Sequence, residues 1–282
     1  MEEEKTWIPK TELGVKVQTK EITNIDEILN SGKVILEQEI TDTLLDYETE
    51  LLLIGQAKGK FGGGQRRVFR QTQKKTKEGN KPRFTTLAVI GDKNGHVGIG
   101  RGKAKETVLA REKAMRKAKL NVFMITRGSG SWESRSSEPH TIPFAVEGKC
   151  GSVIIKLMPA PKGTGLVIEK ECAKILELAG ITDIWSKTFG QTKNKINLVS
   201  ALEKALKQLV KVKFQTKHIS ELYMISGTDK NAKLKEDFEN AAVEDSGLPK
   251  DKRAIKTARK DTRKPVKKTY NNNNSKSKEN KK

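Results

Sequence analysis

Hydrophobic and polar positions alternate along this chain with two different periods, and the change of period marks out its parts. Between residues 22 and 54 the apolar residues fall at helical spacing. Asn24 precedes Ile25-Asp26-Glu27-Ile28-Leu29 as a capping residue followed by acids, and Gly32 can close that helix. Thr41-Asp42-Thr43-Leu44-Leu45 opens a second amphipathic stretch, predicted to run to about Leu53. Gly62-Gly63-Gly64 then breaks any regular element. Beyond it the pattern becomes strand-like at Val68–Gln73 and Arg83–Ile90. Lys74–Pro82 between them reads as an exposed basic loop. Asp92-Lys93-Asn94-Gly95 is a hairpin turn, because Asn-Gly tolerates positive φ, and His96–Gly100 is a third strand. A helix follows over about Ala104–Leu120. At 100° per residue, Ala104, Val108, Ala110, Ala114, Met115 and Ala118 share one face, and Lys105, Lys113, Arg116, Lys117 and Lys119 the other.

Residues 57–121 therefore read as three antiparallel strands and a helix, preceded by a helical extension over 1–56. Residues 122–145, with Arg127-Gly128-Ser129-Gly130-Ser131-Trp132, are an irregular connector. A second unit of βαβα order occupies 146–212. Ser152–Met158 is a buried-type strand. Ile168, Cys172, Ile175, Leu176 and Ala179 form a helical stripe closed by Gly180. Ile181–Thr188 is a strand, and Asn197 caps a last helix with Leu198, Ala201, Leu202, Ala205, Leu206 and Leu209 inside. The fold class is α+β. Residues 213–282 read as a basic, largely disordered tail. Its distal part, 249–282, carries 14 basic and 3 acidic residues and too little apolar surface to offset ordering entropy.

Charge narrows the function. The 282 residues carry a formal charge of +21. It is uneven: residues 1–57 hold 13 acidic and 5 basic residues, whereas 58–119 hold 19 basic and 4 acidic. A folded unit this basic has a polyanion as its expected partner. No apolar run approaches the ~18 residues of a membrane span. The acidic start, Met1-Glu2-Glu3-Glu4-Lys5, does not read as a secretory signal. Cys150 and Cys172 build neither a disulfide framework nor a thiolate metal site, and His96, His140 and His218 lack ligand spacing. No paired carboxylates or activated nucleophile stand out, so neither a catalytic site nor a cofactor or metal is expected.

The candidate chemistry is electrostatic. The cluster Gly98-Ile99-Gly100-Arg101-Gly102-Lys103 fails as a Walker loop: Val97 stands where glycine is needed, and Ala104 where Ser or Thr is. Its glycine spacing and the preceding hairpin also fail the Rossmann pattern. Two main readings stay open. In one, the glycines admit a nucleic-acid backbone, with Lys103 and Lys105 at a helix N-terminus that favours anions; in the other, they form a purely structural turn. Arg66, Arg67, Arg70 and the stretch Lys74, Lys75, Lys77, Lys81, Arg83 lie in the same unit, so their fields add. Only Phe69 and Phe84 interleave, which disfavours a base-stacking platform and suits shape-and-phosphate reading of double-stranded RNA.

From Ala88-Val89-Ile90-Gly91-Asp92-Lys93-Asn94-Gly95-His96-Val97-Gly98-Ile99-Gly100 to Lys105-Glu106, the chain resembles the small-subunit ribosomal protein five family. The likeness continues through Pro159-Ala160-Pro161-Lys162-Gly163-Thr164-Gly165, Ala179-Gly180-Ile181-Thr182-Asp183-Ile184-Trp185 and Thr188-Phe189-Gly190-Gln191-Thr192-Lys193. Trp7-Ile8-Pro9-Lys10-Thr11 and the insert at Arg127–Glu133 resemble its archaeal and eukaryotic branch. The resemblance implies a double-stranded-RNA-binding-like αβββα domain followed by a left-handed βαβ-type domain. It implies a place in the cytoplasmic small subunit as a structural component without turnover, supporting messenger entry and decoding fidelity. Implied partners are small-subunit rRNA, messenger RNA at its entrance, and the neighbouring proteins numbered four and eight, with three as a further candidate. Lys93, Arg101, Arg127, Lys162 and Lys193 join the residues above as the expected RNA-binding set. Relatives often carry cysteines around Trp132; here Ser129, Ser134, Ser136 and Ser137 supply no metal role. A nucleotide-using enzyme built on the second unit would need a phosphate loop with a catalytic Lys or Asp, and neither is apparent. A free-standing double-stranded-RNA-binding regulator is the other rival.

Overall fold

A computed structural model describes residues 7–57, 64–134 and 136–227. The Gly62-Gly63 part of the glycine break and the distal tail lie outside these residues. Three short helices come first: α1 (Glu12–Gln18), α2 (Ile25–Asn30) and α3 (Gln38–Leu44). Thr11 caps α1 through its side chain, which accepts from the Gly14 amide at 3.1 Å. Glu37 ties the segment before α1 to α3: its carboxylate accepts from the Trp7 indole at 2.9 Å and from the Lys10 and Thr11 amides.

The amphipathic stretch expected to stay helical to about Leu53 ends at Leu44. Glu48–Leu51 is instead strand β1, where Tyr47-Glu48-Thr49-Glu50-Leu51 alternates with period two and lies along a sheet edge. β2 (Arg70–Thr76), β3 (Gly79–Gly91) and β4 (His96–Ala104) follow, then α4 (Thr107–Leu120), β5 (Val122–Met124) and β6 (Thr126–Arg127). β3 is long enough to hold two strands on one edge: β1 pairs with its Ala88–Gly91 half and β2 with Gly79–Thr85. β4 lies on its other edge and β5 beyond. The basic loop expected at 74–82 is thus a β-hairpin, whose turn is Lys77-Glu78.

The second sheet is built from β7 (Val146–Cys150), β8 (Val153–Pro159), β9 (Leu166–Val167) and β10 (Ile184–Phe189), in the order β7-β8-β10-β9. Only the β9–β10 pair is parallel. α5 (Lys170–Leu178) and α6 (Lys195–Lys211) supply its helices, with Cys172, Ile175 and Leu176 from α5 and Leu198, Ala201, Leu202, Ala205, Leu206 and Leu209 from α6 buried. α7 (Thr216–Glu221) and β11 (Ile225–Ser226) close the described chain. Regular structure thus runs past residue 213, where the tail was expected to begin. Its sparse apolar residues find distant partners: Phe214 packs on Phe144, and β11 pairs with β6.

β3 organises the interior because both of its faces are covered. Leu87 and Val89 point into a core with Leu52, Ile54, Val97, Ile99 and the apolar residues of the second sheet and its helices. Ala88 and Ile90, on the alternate face, join Ile25, Ile28, Ile40, Ala114 and Ala118 under the N-terminal helices and α4. The two sheets therefore share one continuous core.

Candidate nucleic-acid interface

The glycine cluster is the first sequence reading that the geometry decides. Gly98, Gly100 and Gly102 lie in β4 and face α4. A Cβ at Gly98 would stand 2.3 Å from the Ala118 carbonyl oxygen, at Gly100 2.1 Å from that of Ala114, and at Gly102 1.9 Å from that of Ala110. Two residues of strand advance roughly 6.7 Å and four of helix 6 Å, so a glycine at every second position meets an alanine at every fourth. The glycines admit a helix backbone, and the structural reading replaces the nucleic-acid one. Lys103 lies in β4 rather than at a helix N-terminus, and α4 begins only at Thr107. The predicted α4 stripe narrows accordingly: Ala110, Ala114 and Ala118 are buried, Ala104 belongs to β4, and Val108 is 60% exposed.

The cations of the first sheet are ordered by its register. Lys74 pairs with Lys81, Thr72 with Arg83, Arg70 and Lys103 with Thr85 on its two sides, and Arg101 with Leu87. Residues directly opposite share a face, and so do alternate residues along a strand. Arg70, Lys74, Lys81, Arg83, Arg101 and Lys103 therefore occupy one face, the face opposite α4, and all six are exposed. This is the face that carries Leu87 and Val89 into the shared core. Its apolar part is covered, and its distal part continues as a cationic surface. Like charges placed opposite in a ladder destabilise it. The Lys74–Lys81 pair is such a placement, relieved on one side by Glu78, which meets the Lys81 ammonium at 2.9 Å. Lys75 points to the other face and Lys77 sits in the turn, both exposed. Lys105 lies in the exposed link to α4, whose outer side adds Arg111, Lys113, Arg116 and Lys117.

The remaining candidates scatter. Arg66 and Arg67 precede β2, where Arg66 bridges Ala57 and the Arg67 carbonyl accepts from the Gly55 amide. Lys93 sits at φ 61° in the β3–β4 turn, paired with Glu48. Lys162 pairs with Glu138 at 2.6 Å, on a loop whose Gly163 and Gly165 amides donate to the buried Asp183 carboxylate. Lys193 stands just before α6. Arg127 requires a correction: it is 5% exposed, and its guanidinium donates to the carbonyls of Lys93, Asn94 and Gly180. It clamps the β3–β4 turn to the end of α5 and presents no cationic surface.

Sequence reasoning missed the buried cation at His96. Its Nδ1 meets Asp92 and its Nε2 meets Asp26, each at 2.6 Å. Burial opposes charge on the ring, but the hydrogen bonds to Asp26 and Asp92 outweigh it and hold the imidazole pKa up at about 9. Asp92 lies below its ordinary range: burial pushes it up, but the bond to His96 and the Asn94 and His96 amides overcome this. Asp92 and His96 are four apart in a visible turn, a signal that was available; Asp26, 70 positions away, gave none. Cys172 is buried and its thiol is pushed upward, chiefly by burial, so it serves packing. Among the described residues no group of His, Cys, Asp or Glu could hold a metal ion, and no helix is long and apolar enough to cross a membrane.

Residues 68–126 match the family described as Ribosomal protein S5, N-terminal domain, and residues 148–219 match Ribosomal protein S5, C-terminal domain. The small ribosomal subunit protein uS5 of Nanoarchaeum equitans is 50% identical over 210 residues, spanning 74% of this chain and 90% of that protein. Those of Staphylothermus marinus and Methanocaldococcus jannaschii are 43% and 41% identical, spanning 73% and 78% of this chain and 90% and 95% of theirs.

Proposed function

The chain belongs to the ribosomal protein S5 family, as the sequence resemblance implied, and from that premise we propose that it is a structural component of the small ribosomal subunit that binds rRNA through the cationic face of its first sheet. The observation that carries this reading is the alignment of Arg70, Lys74, Lys81, Arg83, Arg101 and Lys103 by strand register. Six charges on one surface release counterions when phosphates replace them, and a sheet face with no aromatic among these side chains reads shape rather than base identity. The order β2-β3-β4 followed by α4 supports a double-stranded-RNA-binding-like unit. The parallel β9–β10 pair, joined through α5, supports the βαβ-type second unit. In this reading the protein works in the cytoplasmic small subunit without turnover. Its partners in this reading are rRNA, messenger RNA at the entrance, and the proteins numbered four and eight, with three as a further candidate, and it supports decoding fidelity.

Uptake into the particle tests this. Full-length protein is expected in small-subunit fractions of a sucrose gradient. The variant with Lys74, Lys75, Lys77, Lys81 and Arg83 changed to Gln is expected to move to the top. Undiminished uptake of that variant would overturn the assignment of the face.

A further inference from the structure

Away from the cationic face's centre, a cleft of about 720 Å³ opens between the Ile54–Ala57 segment, the start of β2 and the residues leading into α6. Its lining falls into three chemical kinds. Arg66 and Arg70 on one side and Lys193 on the other are exposed cations, and among the described residues none of the three meets a carboxylate. Lys195 also lines the cleft but is already engaged by Glu169, so it adds little net charge. Gln56, Gln191 and Asn194 supply amides that can both donate and accept. Ile54 and Ala57 supply an apolar wall.

The start of α6 strengthens the case. It is a 17-residue helix with no acid in its first turn and no side-chain cap, and Lys193 and Lys195 flank its positive end. Glu169 already balances Lys195, which leaves Lys193 as the cation at this helix end that no carboxylate meets among the described residues. Beside this wall the side-chain amide oxygen of Asn194, Oδ1, is buried and has no hydrogen-bond partner among the described residues, whereas its backbone carbonyl accepts from the Asn197 and Leu198 amides.

Cations, amides and an apolar wall together are the complement of phosphate, base edge and base face. The volume lies in the range that accepts a small organic ligand and is far larger than one phosphate needs. A base within a duplex is stacked on both faces, so only an unpaired base can lay a face on Ile54 and Ala57 while its edge meets the amides. Arg70 belongs both to this cleft and to the aligned cationic face, so one RNA strand could run from one to the other. We propose that this cleft seats a single unpaired nucleotide of an RNA strand, its phosphates on Arg66, Arg70 and Lys193 and its base edge on the amides. The proposal rests on the RNA-binding reading above and adds a preference for unpaired nucleotides that the sheet face alone would not give.

Fluorescence anisotropy with the full-length protein tests it. Two labelled RNA hairpins share one stem, and one carries a single unpaired nucleotide. The bulged hairpin is expected to bind about tenfold more tightly. The variant Arg66→Gln with Lys193→Gln changes only exposed side chains. It is expected to bind both hairpins equally, whatever affinity for the paired stem is lost with the two charges. Equal binding of the two hairpins by the unaltered protein overturns the cleft assignment and leaves RNA binding by the sheet intact, as does a preference that survives in the variant. Displacement of the bulged hairpin by 1 mM adenosine monophosphate would also overturn it, by assigning the cleft to free nucleotides. Failure of both hairpins to bind removes the underlying reading as well.

Discussion

His96 and Asp26 meet at 2.6 Å across 70 positions of sequence, joining the start of β4 to α2. Asp92 holds the other ring nitrogen at the same distance, so one imidazolium is shared between two carboxylates. Its ring is almost wholly buried, at 1% exposure. This is the polar link by which the N-terminal helices are fastened to the hairpin between β3 and β4.

The link gives the fold a pH dependence with a definite sign. His96 has its folded pKa raised from 6.5 to about 9. Its contribution is therefore complete below pH 6.5 and is lost as pH rises through about 9. That interval corresponds to about 3 kcal/mol, an order-of-magnitude figure. Asp92, with a lowered folded pKa, contributes above its ordinary 3.8 and loses this contribution as pH falls through the lowered value. Thermal unfolding from pH 6 to 10 should show the melting temperature falling above pH 7 in the unaltered protein. In His96→Gln it should start lower and lose most of that decline. Parallel curves for the two proteins would refute the shared imidazolium.

The glycines of β4 carry a second prediction. Gly100→Ala places a methyl group 2.1 Å from the Ala114 carbonyl oxygen and 2.2 Å from the Ala118 nitrogen, both helix backbone that cannot step aside without moving α4. Overpacking of this kind costs roughly 1–3 kcal/mol and more when the backbone must shift. Gly163→Ala is the control: φ is +90°, but nothing lies within 4 Å of the added atom. Only conformational strain of about 1 kcal/mol is expected there. Urea denaturation should rank Gly100→Ala as much the more damaging; equal midpoints would count against the helix-on-glycine packing.

This site also shows what the sequence did and did not disclose. Glycine at 98, 100 and 102 and alanine at 110, 114 and 118 were both plain, at periods two and four. Read separately, the first suggested a phosphate turn and the second an ordinary apolar stripe; only the pairing across space shows one set fitting the other. Strand alternation, by contrast, was legible: Leu87 and Val89 against Ala88 and Ile90 divide between two cores as their positions require. The stretch 74–82 was misread because a hairpin exposed on both faces has no apolar alternation to reveal it. Its cations were plain in the sequence, but the alignment of Lys74, Lys81 and Arg83 on one face needed the register. Arg127 was unreadable for another reason: its acceptors are backbone carbonyls at 93, 94 and 180, and a carbonyl leaves no mark in the residue types.

Arg127 therefore stands apart from the cations proposed to meet RNA. Arg127→Lys keeps the charge but cannot span three carbonyls with one planar fork. Loss of charged hydrogen bonds at a buried site costs about 1.5–3 kcal/mol each when a partner is left unsatisfied. A loss of about 2 kcal/mol or more in urea is expected, while RNA affinity measured where the variant is still folded should change less than threefold. A large fall in affinity with unchanged stability would return Arg127 to the binding surface.

The cationic face makes the reverse prediction, and salt is the variable that isolates it. Each phosphate contact adds about 0.7–0.9 to the slope of log affinity against log salt concentration. Lys74, Arg83 and Lys103 lie on the shared face and are exposed. Lys81 shares that face, but Glu78 already partly neutralises it. Changing Lys74, Arg83 and Lys103 to Gln should therefore reduce the slope by about 2. Changing Lys81 alone should reduce it by less than any one of the three. None of the four side chains is buried, so the melting temperature should stay within a few degrees. Removing Lys74 or Lys81 also relieves a like-charge pair, so stability should if anything rise. A reduced affinity with an unchanged salt slope would mean that these residues act by shaping the hairpin rather than by meeting phosphates.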